Sequence, residues 1–225
     1  MRIAIVSDVH SNLQALEEVK RRLDDAGVDF VLSAGDAVGY GANPNKCCTI
    51  LKDWVRHSVL GNHDLAALRG DPSSMNPYAA KAILWTSRQI DESSRGYLES
   101  IKESAHSDAG GHKIEVRHGS IRSIWEYVYE EDLSEDMLRQ SEAEVLVLGH
   151  THVPFARRYE GGMIINPGSV GQPRDGDPRA SFGILQTEPL SFEIHRVEYD
   201  IDGASEAILK AELPEFLADR LFKGF

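Results

Sequence analysis

Cysteine is nearly absent from this sequence: only Cys47 and Cys48 are present among 225 residues, and they are adjacent. Adjacent thiols cannot supply the spaced ligand pairs of a thiolate metal site, and secreted disulfide frameworks spread their cysteines along the chain. A reduced, cytoplasmic protein is therefore expected. Long apolar runs are missing as well, which speaks against a membrane-spanning helix. The short run after Met1 already carries Asp8 and His10, where a leader peptide would stay apolar. Basic residues are outnumbered, 24 lysines and arginines against 36 aspartates and glutamates, giving a formal net charge of -12. That balance opposes the broad phosphate-backbone contact of nonspecific nucleic-acid binding, though it leaves room for a local basic pocket. No repeat, low-complexity segment or long linker marks a boundary, so one domain spanning 1–225 is expected, with oligomeric state left open. A hydrophobic content of 41% is enough for a sizeable core.

What the chain does have is a regular alternation of elements. Arg2 to Ser7, "RIAIVS", reads as a buried strand, and Asn12 to Ala26 follows with helical spacing through Leu13, Leu16, Val19 and Leu23, stopped by Gly27. "DFVLSAG" is a second strand, Asn43-Pro44 opens a second helix, and "VRHSVL" is a third strand ending at Gly61. This order predicts a parallel sheet covered by helices. From Leu65 to Ser107 the pattern is helical, with Ala79 to Ile90 its clearest helix. Strands return at "HKIEVRH" and "EVLVLG", with a helix over Leu133 to Gln140 between them. Beyond Arg157 the pattern becomes antiparallel through "RRYE", "MIIN", "ASFGILQT" and "LSFEIHRVEY", and the tail from Ala204 to Phe225 reads as helical. The whole predicts an α/β protein with two packed sheets and helices outside.

Ligands of open α/β sheets gather beyond the carboxyl ends of the strands, and here those ends are crowded with polar residues. "SDVHSN" brings Asp8 and His10, which extended alternation would place on one side. Gly35-Asp36 ends the second strand, "LGNHD" brings Asn62, His63 and Asp64, "RHGS" brings His118, and "LGHTHVP" brings His150 and His152. Each has an ordinary reading in isolation. Asp8 could cap a helix, Asp36 and Asn62 could be turn residues, and His118 could be a core histidine. Two imidazoles ending a buried strand are harder to dismiss, because burial without a partner is costly. Five such coincidences at one sheet edge are a poor explanation. His57, His106, His112 and His195 lack this company and receive no chemical role, and Cys47 and Cys48 belong on the second helix with at least one packing inward.

The donor set of aspartates, histidines and an asparagine amide exceeds the needs of one ion, so a dinuclear centre is expected, with Asp36 the best candidate for a bridge. Oxygen and imidazole donors without thiolate favour manganese, iron or zinc over a soft metal without choosing among them; nickel is a further candidate, and manganese is the expected ion. Two ions at roughly 3.5–4 Å lower the pKa of a water between them and clamp a transferring phosphoryl group, which points to hydrolysis of a phosphate ester. His63 is then free to face the leaving group as a proton donor or charge stabiliser, and Asp64 to fix its tautomer.

The ordered set Asp8-Val9-His10, Gly35-Asp36, Gly61-Asn62-His63-Asp64, His118 and Gly149-His150-Thr151-His152 resembles the calcineurin-like metallophosphoesterase superfamily, over Ile3 to about Gly171. The resemblance implies a four-layer α-β-β-α sandwich of two mixed sheets with a dinuclear site at the strand carboxyl ends. It also implies a ligand assignment: Asp8, His10 and His152 on one ion, Asn62, His118 and His150 on the other, and Asp36 between them. The phosphoprotein phosphatases of the superfamily carry an arginine and glycine after the second motif, where this chain has "GDAVGYG" with Tyr40. That departure points away from them and from the diadenosine tetraphosphatases with the same motif. The chain looks more like the compact bacterial and archaeal phosphoesterases, several of them phosphodiesterases. The stretch from Asn166 to Phe182, "NPGSVGQPRDGDPRASF", is similar to the segment after their last motif and makes Arg174, with Tyr40, a candidate substrate contact.

The expected function is therefore a phosphodiesterase using a metal-bridging hydroxide, on a substrate class that includes nucleotides. A phosphomonoesterase acting on phosphoproteins or nucleotides is the alternative within this chemistry. A non-catalytic metal-binding scaffold is the alternative outside it, because one retromer subunit has this fold. Trp125, Tyr127 and Tyr129, in the loop from Ile121 to Glu131, and the helical region from Leu65 to Ser107 are expected to line the entrance.

Overall fold

Residues 1–225 are described by a computed structural model. The chain begins β1 (Arg2–Val6), α1 (Leu13–Ala26), β2 (Phe30–Ser33), α2 (Pro44–Trp54) and β3 (His57–Ser58), then passes through three helices, α3 (Asn62–Arg69), α4 (Pro77–Gln89) and α5 (Glu92–Ser100). It continues through β4 (Ser104–Ala109), β5 (His112–Arg117), α6 (Glu135–Ser141), β6 (Val145–Val147), β7 (Phe155–Tyr159) and β8 (Gly162–Asn166). A hairpin of β9 (Ala180–Thr187) and β10 (Leu190–Val197) follows, and α7 (Ile201–Lys210), α8 (Glu215–Asp219) and a 3-10 turn at Arg220–Phe222 complete it. The strands form two five-stranded sheets, ordered β10-β9-β1-β2-β3 and β4-β5-β6-β8-β7. Both are mixed: β1, β2 and β3 run parallel beside the antiparallel β9 and β10, while β5, β6 and β8 run parallel between the antiparallel edges β4 and β7.

The two-residue period of the strands builds the layers. On β1, Ile3 and Ile5 face the second sheet and pack with Val116, Val145, Val147 and Ile165, while Ala4 and Val6 face outward onto Leu16, Val19 and Leu23 of α1. On the far side of the second sheet, Leu146, Leu148 and Ile164 pack against Met137 and Leu138 of α6. The layer order is helix, sheet, sheet, helix. Asn12 caps α1 by accepting the Ala15 N–H at 3.1 Å, and Gly27 ends it at φ 63°, so the cap that Asp8 could have supplied comes from Asn12.

Three sequence expectations change. The third strand shrinks to His57–Ser58, because beyond it Leu60 turns its N–H to the Lys102 carbonyl at 2.8 Å. Residues 104–107, expected within the helical region, belong to β4, which pairs with β5 along its whole length. Of β4 only Ala109 is fully buried, so the ladder rather than an apolar face holds this edge strand, and no apolar alternation marks it. The helix between β5 and β6 starts at Glu135, after the Ser134 cap, rather than at Leu133.

Candidate metal centre

The parallel strands deliver the site. Asp8 and His10 follow β1, Asp36 follows β2, Asn62 and His63 form the first turn of α3, His118 follows β5, and His150 and His152 follow β6. All are buried. They do not converge by extended alternation, as the sequence reading had it. Asp8, His10, Asp36, His150 and His152 have φ of 54°, 49°, 54°, 66° and 61°. Left-handed backbone costs a non-glycine residue about 1–2 kcal/mol, and here hydrogen bonds between neighbouring strand ends hold it: Asp8 N–H to Gly35 O at 2.9 Å, His10 N–H to Asp36 O at 3.0 Å and Gly149 N–H to His118 O at 2.8 Å.

Three imidazoles are aimed by backbone carbonyls. Nδ1 of His10 donates to Val38 O at 3.1 Å, Nδ1 of His118 to Ala34 O at 2.7 Å and Nδ1 of His152 to Gln172 O at 2.5 Å. A carbonyl only accepts, so each ring carries a proton on Nδ1, and in the neutral form its Nε2 lone pair turns inward. His10 Nε2 lies 3.0 Å from His152 Nε2. His152 Nε2 is 3.2 Å from Asp8 Oδ1, and His118 Nε2 is 3.2 Å from Asp36 Oδ2 and 3.0 Å from Asn62 Oδ1. Asp8 Oδ1, Asp36 Oδ2, His150 Nε2 and His63 Nδ1 are buried without a hydrogen-bond partner.

The donor atoms fall into three groups within 4.8 Å: Asp8, His10 and His152; His10, Asp36 and His63; and Asp36, His118 and His150. Each group draws on loops from both sheets or on α3. Facing lone pairs, orphaned carboxylate oxygens and the absence of thiolate fit divalent cations.

Charge within the cluster follows burial and neighbours. Burial would raise Asp8 and Asp36, yet the surrounding imidazoles outweigh it and hold both carboxyls well below the usual range. Burial lowers His10 and His152 and pushes His63 to about 4 and His150 to about 3. His118 goes the other way. Burial opposes its charge, but Asp36 and Asp8 prevail and raise it to about 9.

Asp64 makes no hydrogen bond to the His63 ring, contrary to the expectation that it fixes the tautomer. Its Oδ1 accepts the Val38 N–H at 3.0 Å and its Oδ2 the Gly61 N–H at 3.1 Å. Burial, with Asp36 nearby, pushes it up to about 7. It ties the Val38 loop to the start of α3, because the free N–H groups there are the nearest donors. His63 uses its own N–H to hold Asp36 Oδ1 at 2.9 Å.

Beside the donors opens a cleft of about 300 Å³ lined by Tyr40, Asn62, His63, Met75, Trp125 and Tyr127 among others. The Tyr127 ring lies 3.9 Å from His150 and stacks on Tyr129 at 6.1 Å. Tyr40 lies 4.7 Å from His10 and 4.5 Å from His63, and Arg174 donates to Tyr40 Oη at 3.3 Å and Gln172 Oε1 at 3.0 Å. The other histidines stay away. His57 and His106 sit exposed on edge strands, His112 pairs with Glu144, and His195 stacks on Phe182. Sequence reasoning missed Ser7, whose hydroxyl donates to Asp8 Oδ2 at 2.6 Å, and the carbonyls of Ala34, Val38 and Gln172. Their only signal was position within the quoted motifs.

The model of the calcineurin-like phosphoesterase superfamily domain matches residues 1–189. An uncharacterized protein of Methanocaldococcus jannaschii is 39% identical over 99% of this chain and 98% of its own. The crystal structure of a metallophosphoesterase from Sphaerobacter thermophilus, 40% identical, superimposes with a TM-score of 0.87 over 100% of this chain and 99% of that one. A phosphodiesterase of Escherichia coli, YfcE, is 25% identical over 85% of this chain and 90% of its own. No helix is long and apolar enough to cross a membrane. With its strand-end donors gathered on a two-sheet sandwich, and with relatives along its whole length, this chain belongs to the calcineurin-like phosphoesterase superfamily.

Proposed function

We propose that this chain is a phosphodiesterase that works with two divalent cations; manganese, iron, zinc and nickel all suit its mixed oxygen and imidazole donors, and manganese is the one we favour. Asp8, His10 and His152 would hold one ion, Asn62, His118 and His150 the other, and Asp36 would lie between them. The observation that carries this reading is the 3.0 Å approach of His10 Nε2 to His152 Nε2, with both Nδ1 atoms committed to carbonyls, beside the unpartnered Asp8 Oδ1. Two buried lone pairs at that distance repel unless a cation lies against them. When bound, such ions neutralise phosphoryl oxygens and lower the pKa of water. Diester chemistry is supported by the E. coli relative, which is named a phosphodiesterase.

The chain's own residues set the rest. His63 faces the cleft as a neutral ring at pH 7, given its low pKa, so it offers one N–H to negative charge on a leaving oxygen; full proton donation requires the substrate's charge to raise it. Arg174 offers a guanidinium to a phosphoryl oxygen. Tyr40, Trp125 and Tyr127 provide ring faces for an organic substituent.

Metal-stripped protein, assayed on bis(p-nitrophenyl) phosphate and p-nitrophenyl phosphate with manganese, nickel, zinc or magnesium restored, tests the proposal. Metal-dependent turnover favouring the diester is expected, and Asp36→Asn should lose bound metal and turnover together. Bound ions with no turnover of either ester would sink the enzymatic reading, and monoester preference would sink the diester one.

A further inference from the structure

Resting on the phosphodiesterase reading, we infer that Arg220 joins Arg174 at the edge of the metal centre to bind a second phosphate of the substrate, beside the one that is cleaved. Arg220 comes from the segment after residue 189, where the family match ends. That segment folds back over the site. Ala204, Ile208, Leu213, Leu217, Ala218 and Leu221 pack in one apolar cluster with Tyr40, and Tyr40 touches the rings of His10 and His63. The guanidinium of Arg220 lies 5.9 Å from the Tyr40 ring centre and that of Arg174 5.7 Å from the same ring. A single phenol beside the candidate ligands therefore has two cations on it.

Neither arginine pairs with an acidic side chain. The two aspartates nearest Arg174 in sequence are engaged elsewhere, Asp175 with Arg196 and Asp177 with Arg179. Arg174 makes its bonds to Tyr40 and Gln172 while its Nε is buried without a partner. Arg220 donates through Nε to the main-chain oxygen of Phe225, the last residue of the sequence, and its two terminal nitrogens make no hydrogen bond. In a chain with 36 acidic residues, two half-buried arginines on one tyrosine ring, neither paired with an aspartate or glutamate, form a receptor for an anion from outside. The Arg174 backbone N–H bonds the His152 carbonyl at 3.3 Å, so this arginine is tied to the candidate metal centre as well as to the ring it shares with Arg220. A plain diester carries one negative charge at the reaction centre, where the cations already meet it. The second guanidinium calls for a second anionic group, and its planar fork matches phosphate.

That phosphate could be joined to the scissile one as a phosphoanhydride or attached further along the alcohol substituent. Steady-state kinetics of the manganese-loaded protein on dTpdT, its 5′-phosphorylated form pdTpdT, and diadenosine diphosphate separate these sources. A lower KM for pdTpdT than for dTpdT places the phosphate on the substituent, and preference for diadenosine diphosphate places it in the anhydride. In either case Arg220→Gln should remove at least about tenfold of the preference, mainly through KM, and Arg220→Lys should restore part of it. Equal effects of Arg220→Gln on all three substrates, or none, would overturn the inference. If wild-type protein cleaves no ester, the functional reading fails on its own. The anion site is then decided by calorimetry with inorganic pyrophosphate, which should bind wild type about tenfold more tightly than Arg220→Gln; equal binding refutes the site.

Discussion

If His118 ligates a cation as proposed, a proton on its ring stands in the way. Asp36, 3.2 Å from its Nε2, keeps the imidazole charged up to about pH 9 in the metal-free protein, whereas metal ligation needs the neutral ring. The raised pKa means the metal-free state binds the proton below about pH 9; a loaded state with His118 as a ligand would not, so loading would release it and apparent affinity would fall as pH drops below about 9. Calorimetric metal titrations in buffers of different ionisation enthalpy should record that release near neutral pH; heats independent of the buffer would place the proton elsewhere. The donors were legible as letters, because aspartate, asparagine and histidine at strand ends announce themselves. The left-handed backbone at Asp8 and His152, and the carbonyls that fix each tautomer, were not, since neither depends on side-chain identity. Asp64 was misread for a related reason: adjacency to His63 in sequence suggested contact, but successive side chains in a first helical turn diverge, and the unpaired N–H groups of Gly61 and Val38 drew the carboxylate instead.

Among the elements, α3 depends most on a close approach. Its first turn supplies the His63 N–H to Asp36 and presents the Asn62 amide, and its N-cap is Gly61 at φ -91°. An alanine would accept that backbone angle, but its Cβ would overlap the Asp36 carboxylate. Gly61→Ala should therefore push α3 away from Asp36 and weaken metal binding by at least about tenfold while leaving the helical circular dichroism largely intact; unchanged affinity by metal titration would show that the helix can shift freely. The strongly patterned elements, β1, α1, β6 and β9, were readable because each buries a continuous or periodic apolar face. The two-residue β3 and the edge strand β4 were not, because pairing defines them.

Over the whole molecule, the two-sheet sandwich and its outer helices followed from the order of the patterned segments, while the return of the C-terminal helices to Tyr40 left no mark that sequence could show. Leu217 and Leu221 could have packed on any apolar surface, and only the fold reveals that it is the one beside His10 and His63. The layering also gives the centre a mechanical meaning. Asp8, His10 and Asp36 hang from the first sheet, and His118, His150 and His152 from the second. An ion held as proposed would span the two like a rivet, at the rim of their shared core. Ligand binding to the native state alone adds about 2.7 kcal/mol of stability at a hundredfold excess over the dissociation constant, and here the added stability falls on the seam between the halves. In hydrogen-exchange measurements, a chelator should speed exchange at the site-facing ends of β1, β2, β5 and β6 together, with outer α6 changing little; faster exchange confined to one sheet would mean that the ions sit on one half only. Metal supply would thus govern how long the folded protein survives as well as how fast it turns over.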